Sequence, residues 1–192
     1  MNFAASIRRR LASSSGTDLL LGTLVSLVAV KYALMAADRI SSSELSLGWQ
    51  HLWALGEGDA WKPWKWFSYA FLHADLYHAL WNLLILHFVG HAWEDRRGHR
   101  SPWWLFLSGA AVGAIVFMAL TTADETYHQL VGASAGTTAV LGALTVRQPR
   151  FQTKLAFWWV PLYAFAALLL LVDLAFAVGY DLSAWAHLSG FA

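Results

Sequence analysis

From Leu19 to Ala37 the chain runs nineteen residues with one charge, Lys31. A helix of that length covers about 28 Å, close to the hydrocarbon thickness of a bilayer. Lipid offers no water to unpaired backbone groups, so a run of this kind crosses a membrane only as a helix. Apolar runs recur at about residues 64–93, 102–120, 133–146 and 157–178, and another opens at 184–192. Together they predict an all-α polytopic membrane protein, a bundle of six transmembrane helices. The polar segment 1–18, with Arg8-Arg9-Arg10, precedes the bundle. A signal peptide would have a short apolar stretch ending in a cleavage site, so the first run reads as a retained span.

Composition narrows the function classes. The chain is 58% hydrophobic and 13% charged, against about half and about a quarter in soluble domains. A net charge of +1 gives no footprint for nucleic acid. The absence of cysteine excludes disulfides, cysteine metal sites and a thiol nucleophile. Twelve tryptophans suit a protein with two membrane interfaces.

In chain order, Lys31 is expected to snorkel toward the far interface. Between Asp38 and Pro63 lies an amphipathic piece with Leu47, Trp49, Leu52, Trp53 and Leu55, then the breaker Gly56-Glu57-Gly58-Asp59. It reads equally as a segment lying in the interface or as a loop with apolar anchors. Pro63 suits the start of the second helix. That run holds His73, His78, Asn82, His87 and His91, which is many polar groups for lipid depth. Such residues face a bundle interior or a hydrated cavity. His78 and Asn82 share a helix face, with His73 about 140° around from His78. His87 and His91 have metal-ligand spacing, but no third ligand accompanies them, so no metal is expected. Glu94 to Arg100 reads as a compact polar turn. The third run carries Gly109, Ala110, Ala111, Gly113 and Ala114, which permit close helix contact.

The fourth run opens on Val131-Gly132-Ala133-Ser134-Ala135-Gly136. Alone, a serine among small residues is a packing residue. At the first turn of a helix, however, its hydroxyl stands beside unpaired N–H groups and the favourable end of the helix dipole. Those are the conditions of a serine nucleophile with oxyanion donors. Arg147 to Arg150 stops the helix, leaving it only about 20 Å long and the serine recessed roughly 10 Å below one interface.

Charge sets the orientation. Arg8 to Arg10, Arg96, Arg97, Arg100, Arg147, Arg150 and Lys154, nine of the thirteen Lys and Arg, fall on one side of a six-span arrangement. The positive-inside rule puts that side and the N-terminus in the cytoplasm. Ser134 and His187 then begin their helices near the outer face.

Four motifs in order carry a resemblance. They are Pro63-Trp64 leading to His73, His78 and Asn82; Glu94, Arg96 and Gly98; Gly132-x-Ser134; and Ala186-His187-x-x-Gly190. From about residue 60 onward the chain resembles the rhomboid family of intramembrane serine proteases. The resemblance implies a rhomboid-like six-helix bundle in the bacterial inner membrane, from which this chain departs in a last helix that reads as truncated at Ala192. It implies a Ser134–His187 dyad, with oxyanion donors from His78, Asn82 and the Ser134 backbone N–H. It makes His73, Glu94, Arg96, Gly132 and Gly190 structural supports. It implies no cofactor. The partners would be the lipid bilayer and transmembrane protein substrates, with the oligomeric state left open. Ala135 stands where the family most often has glycine, and Thr138 where many members carry a tyrosine stacked on the histidine. The alternative is a catalytically inactive relative that binds transmembrane clients.

Overall fold

A computed structural model describes residues 15–97, 102–121, 129–155 and 158–178, together with Gly190. Seven helices dominate these residues, with two small two-stranded pairs. Helix α1 (Gly16–Ser41) is capped by Ser15, whose side-chain oxygen accepts from the Asp18 N–H. Its twenty-six residues make it about 39 Å long, longer than a bilayer core. Only Thr17, Leu20 and Leu24 are buried, so most of its surface is available to lipid. Helix α2 (Leu45–Trp53) buries none of its residues. Its first turn is capped from a distance: Asp38 accepts from the Leu45 and Ser46 N–H groups, each at 2.8 Å. The segment is helical here, with Leu45, Leu47 and Leu52 exposed.

Strand β1 (Leu55–Gly56) pairs antiparallel with β2 (Gln129–Leu130). Between them in sequence come a 3-10 turn (Asp59–Trp61), the short helix α3 (Lys65–Ser68), a second 3-10 turn (Tyr69–Phe71), α4 (Leu76–Arg97) and α5 (Trp103–Thr121). The second apolar run is therefore not one helix over 64–93. Asp75 accepts from the His78 N–H at 2.8 Å, a cap that fixes the helix start past His73. At its other end α4 continues to Arg97, so Glu94 to Arg97 is helical and not a turn.

Helix α6 (Ser134–Arg147) is the centre of the bundle. Eight of its fourteen residues are buried. It packs on α4, α5 and α7 (Leu162–Val178), while α1 packs on α4. The contact with α5 is close because it is built on small residues. A Cβ on Gly109 would lie 2.5 Å from the Ala135 carbonyl, and one on Gly136 2.5 Å from the Phe106 ring. Between α6 and α7 the strands β3 (Gln152–Leu155) and β4 (Trp158–Pro161) pair antiparallel. The helix of the fifth apolar run, α7, therefore starts at Leu162, five residues after the expected Phe157. Trp158 to Pro161 belongs to the strand, because aromatic and β-branched residues suit a pleated strand as well as an apolar span. Among the described residues α1 and α5 are long and apolar enough to cross a membrane. The sixth run, apart from Gly190, lies outside the described residues.

Candidate active site

Ser134 is the first residue of α6, and the backbone ahead of it is held from three directions. The β1–β2 pair fixes residues 129–130. The Gly132 N–H donates to the Tyr69 carbonyl at 3.1 Å. Tyr69 is itself buried, and its hydroxyl donates to the Ala110 carbonyl at 2.8 Å. Beneath β1 sits a buried ionic knot. Asp59 accepts from the Gly56 N–H at 3.0 Å and from Lys62 and Lys65, each at 2.7 Å. Burial works to raise the Asp59 pKa, but the two ammonium contacts and the Gly56 N–H outweigh it and hold the carboxyl below its ordinary value. The Gly-rich breaker is thus a support for the strand that leads to the serine.

Gly132 is where the site is tightest. Its φ is +127°, a conformation that side chains rarely adopt. A Cβ placed there would stand 2.7 Å from Cε1 and 2.9 Å from Nε2 of His78, and 3.7 Å from the Ser134 hydroxyl. The His78 ring and the Ser134 Oγ therefore face one small space that glycine leaves open. Both side chains are half-buried. The backbone N–H groups at the start of α6 border the same region, as a helix N-terminus requires.

Asn82 is buried, one turn along α4 from His78. Its side-chain amide donates to the His78 carbonyl at 3.0 Å, which occupies one of its two N–H groups. His73 does not lie on the His78 helix, so the expected 140° separation does not apply. It sits in the loop ahead of α4, yet its ring meets that of His78 edge-on with centroids 5.3 Å apart. It is 3% exposed, and neither ring nitrogen has a hydrogen-bond partner.

Lys31, expected to snorkel, takes partners within the chain. Its ammonium donates to the carbonyls of His73 at 2.5 Å and Ala74 at 2.6 Å, in the loop ahead of α4. A lone charge in an apolar span is the available signal, but its partners are 42 and 43 residues away in sequence and carry no side-chain mark. Beside this tie lies a cavity of about 380 Å³ bordered by Lys31, Met35, Trp49, His73 and Val131.

Glu94 and Arg96 stand at the opposite end of α4 and tie helices together. Glu94 accepts from the Thr17 N–H at 3.1 Å and so caps α1. Arg96 donates to Gln148 at 2.7 Å and to the Ala92 carbonyl at 3.0 Å, and it stacks over Phe151 at 4.0 Å. His91 hydrogen-bonds with the His87 carbonyl and with Asp18 on α1, an interhelical contact. Among the described residues no cluster of histidines and acids could hold a metal. Gly190 is buried on α6, where a Cβ would overlap Thr138 Oγ1 and the Ala135 carbonyl, within one turn of Ser134. His187 lies outside the described residues.

A family model, the Rhomboid domain, matches residues 60–192. No curated protein matches the chain.

Proposed function

Because this chain belongs to the rhomboid family, whose members are integral membrane proteins and generally serine intramembrane proteases, we propose that it is itself an active intramembrane endopeptidase. It hydrolyses peptide bonds in or beside transmembrane segments of other proteins. Ser134 is the nucleophile and His187 the general base. The observation that carries this reading is the space at Gly132, which the His78 ring and the Ser134 hydroxyl share at the N-terminus of α6.

The chemistry follows from that arrangement. His187 takes the hydroxyl proton as Oγ bonds to the scissile carbonyl carbon. Negative charge collects on the carbonyl oxygen, where the Ser134 N–H, His78 and Asn82 donate to it. The Asn82 amide keeps a second N–H for this purpose. The C–N bond then breaks, and His187 returns the proton to the leaving amine. Water, deprotonated by the same imidazole, then bonds to the acyl carbon, the C–Oγ bond breaks, and the imidazole returns that proton to Oγ. Gly190 supports the pairing, since three residues of chain reach at most about 11 Å and Gly190 packs on the first turns of α6.

In orientation, the ends of α4 and α6 that carry Arg96 and Arg147 face the cytoplasm, and the Ser134 end faces outward. The competing reading is an inactive protein that binds transmembrane clients. Its support is Thr138, whose hydroxyl bonds back to the Ser134 and Ala135 carbonyls and offers no aromatic face to a histidine.

A fluorophosphonate probe on the solubilised protein separates the two. The protease reading expects covalent labelling that disappears in Ser134→Ala and in His187→Ala. A folded parent chain that takes no label would leave the inactive reading standing.

A further inference from the structure

At the end of the bundle away from Ser134, the last turns of α4 and α6 enclose a cleft of about 220 Å³. Its walls are Trp93, Arg96, Leu144, Arg147 and Gln148. Helix α6 puts about 20 Å between this cleft and the serine. We propose that the cleft binds the phosphate of an anionic phospholipid headgroup.

Two guanidinium groups line the cleft, and neither forms an ion pair among the described residues. Arg96 commits two N–H groups, to Gln148 and to the Ala92 carbonyl, and leaves three for a ligand. Its plane is fixed by stacking on Phe151 at 4.0 Å. Arg147 lies over the Trp93 ring at 5.3 Å and has no hydrogen bond among the described residues. The nearby acids do not neutralise the pair. Glu94 is buried and turned toward Thr17, and Asp95 is not on the cleft wall. A forked pair of guanidiniums, held in place by aromatic rings, matches the planar recognition of a phosphate diester.

The backbone argues for a lipid source and makes the test sharp. Two helix C-termini meet here, and their carbonyls disfavour an anion. Charge attraction must therefore come from the arginine side chains. On the orientation proposed above, the cleft lies at the cytoplasmic ends of α4 and α6, the depth at which headgroups would lie. A lipid held there would bridge α4 and α6, the two helices that carry His78 and Ser134.

The test uses the Ser134→Ala chain in phosphatidylcholine nanodiscs with or without phosphatidylglycerol, so it reads lipid binding whether or not the protein is a protease. Native mass spectrometry after release counts retained lipid. We expect selective retention of phosphatidylglycerol, weakened on the order of tenfold by Arg147→Gln and less by Arg147→Lys. Arg150→Gln, at the same end but off the cleft wall, should change retention much less. Thermal unfolding in phosphatidylcholine alone should match the parent for each variant, since Arg147 is exposed. Equal losses in Arg147→Gln and Arg150→Gln would mean diffuse attraction to a charged surface and overturn the site. So would equal retention of the two lipids. Displacement of the lipid by inorganic phosphate at modest concentration would overturn the lipid assignment in favour of free phosphate.

Discussion

The ammonium of Lys31 donates to the backbone carbonyl of His73 at 2.5 Å, joining the first helix to the loop that starts the fourth. The same ammonium reaches the Ala74 carbonyl at 2.6 Å. The His73 ring in turn rests edge-on against His78, and the His78 ring faces the space beside the Ser134 hydroxyl. A residue outside the matched Rhomboid domain thus reaches the candidate site through two contacts.

Lys31→Met should therefore slow fluorophosphonate labelling by about tenfold or more while the helical bundle still forms. Hydrogen bonds to a charged group contribute about 1.5–3 kcal/mol, so a drop in thermal stability should accompany it. Lys31→Arg keeps the charge and the donors and should restore part of the rate. Loss of labelling in step with unfolding, without rescue by arginine, would reduce Lys31 to a structural tie. Labelling rates and unfolding midpoints measured on the three chains decide between these.

Gly132→Ala tests the shared space directly. The new methyl would stand 2.7 Å from the His78 ring on a backbone whose φ of +127° already disfavours a side chain. Strain of this kind costs on the order of 1–3 kcal/mol, and relief requires moving His78 or the loop. Labelling should fall by about a hundredfold, since either movement would misplace His78, the proposed oxyanion donor. Circular dichroism should still report a helical protein. Undiminished labelling would show that His78 and Ser134 act independently of the space between them.

What was legible in the sequence had a local mark. Gly132-x-Ser134 before an apolar run marks a helix start, and Ser134 does open α6. The small residues Gly109, Ala110, Gly113 and Ala114 mark a close contact, and all four are buried on α5, with Gly109 against Ala135 and Ala139 of α6. What was missed depends on partners far along the chain. Trp64 to Leu72 is as apolar as a helix core, so hydropathy alone ran it into α4 and hid the cap at Asp75. The strand of Trp158 to Pro161 vanished into the following helix for the same reason. Lys31 and Asp59 have clear charges, but the carbonyls and N–H groups they serve are invisible in a sequence. His187 lies outside the described residues, so its role rests on the motif and on the placement of Gly190.

Acid should weaken the support under β1. Asp59 is buried, yet Lys62, Lys65 and the Gly56 N–H hold its carboxyl below its ordinary pKa of 3.8. A carboxylate depressed on folding contributes stability above its unfolded pKa of about 4, and that contribution drains away as pH falls through the lower folded value. The unfolding midpoint should therefore drop as pH is taken below about 4, and Asp59→Asn should lose this part of the acid dependence. At neutral pH the variant should be less stable by about 3–5 kcal/mol, because Lys65 stays buried without its partner. Unfolding midpoints of both chains across the acid range measure the effect. Parallel curves would remove Asp59 as the titrating group.

The Ala135 carbonyl is flanked on two sides by glycine, and the two flanks should fail differently. A Cβ on Gly109 would meet this carbonyl and the Ala139 methyl, each at 2.5 Å. A Cβ on Gly190 would overlap the same carbonyl and Thr138 Oγ1. Forcing a methyl into packed helices costs about 1–3 kcal/mol in either place. Gly109→Ala separates α5 from α6, two helices of the core, so it should lower the unfolding midpoint first and labelling with it. Gly190→Ala acts at the segment three residues beyond His187. It should cut labelling by about tenfold or more with a smaller change in midpoint, because misplacement of a general base removes a contribution of that size. Adding Thr138→Ala to Gly190→Ala clears the hydroxyl that the new methyl would strike and should recover part of the labelling. If Gly190→Ala labels like the parent chain, close packing of Gly190 on α6 is not what brings a base to Ser134.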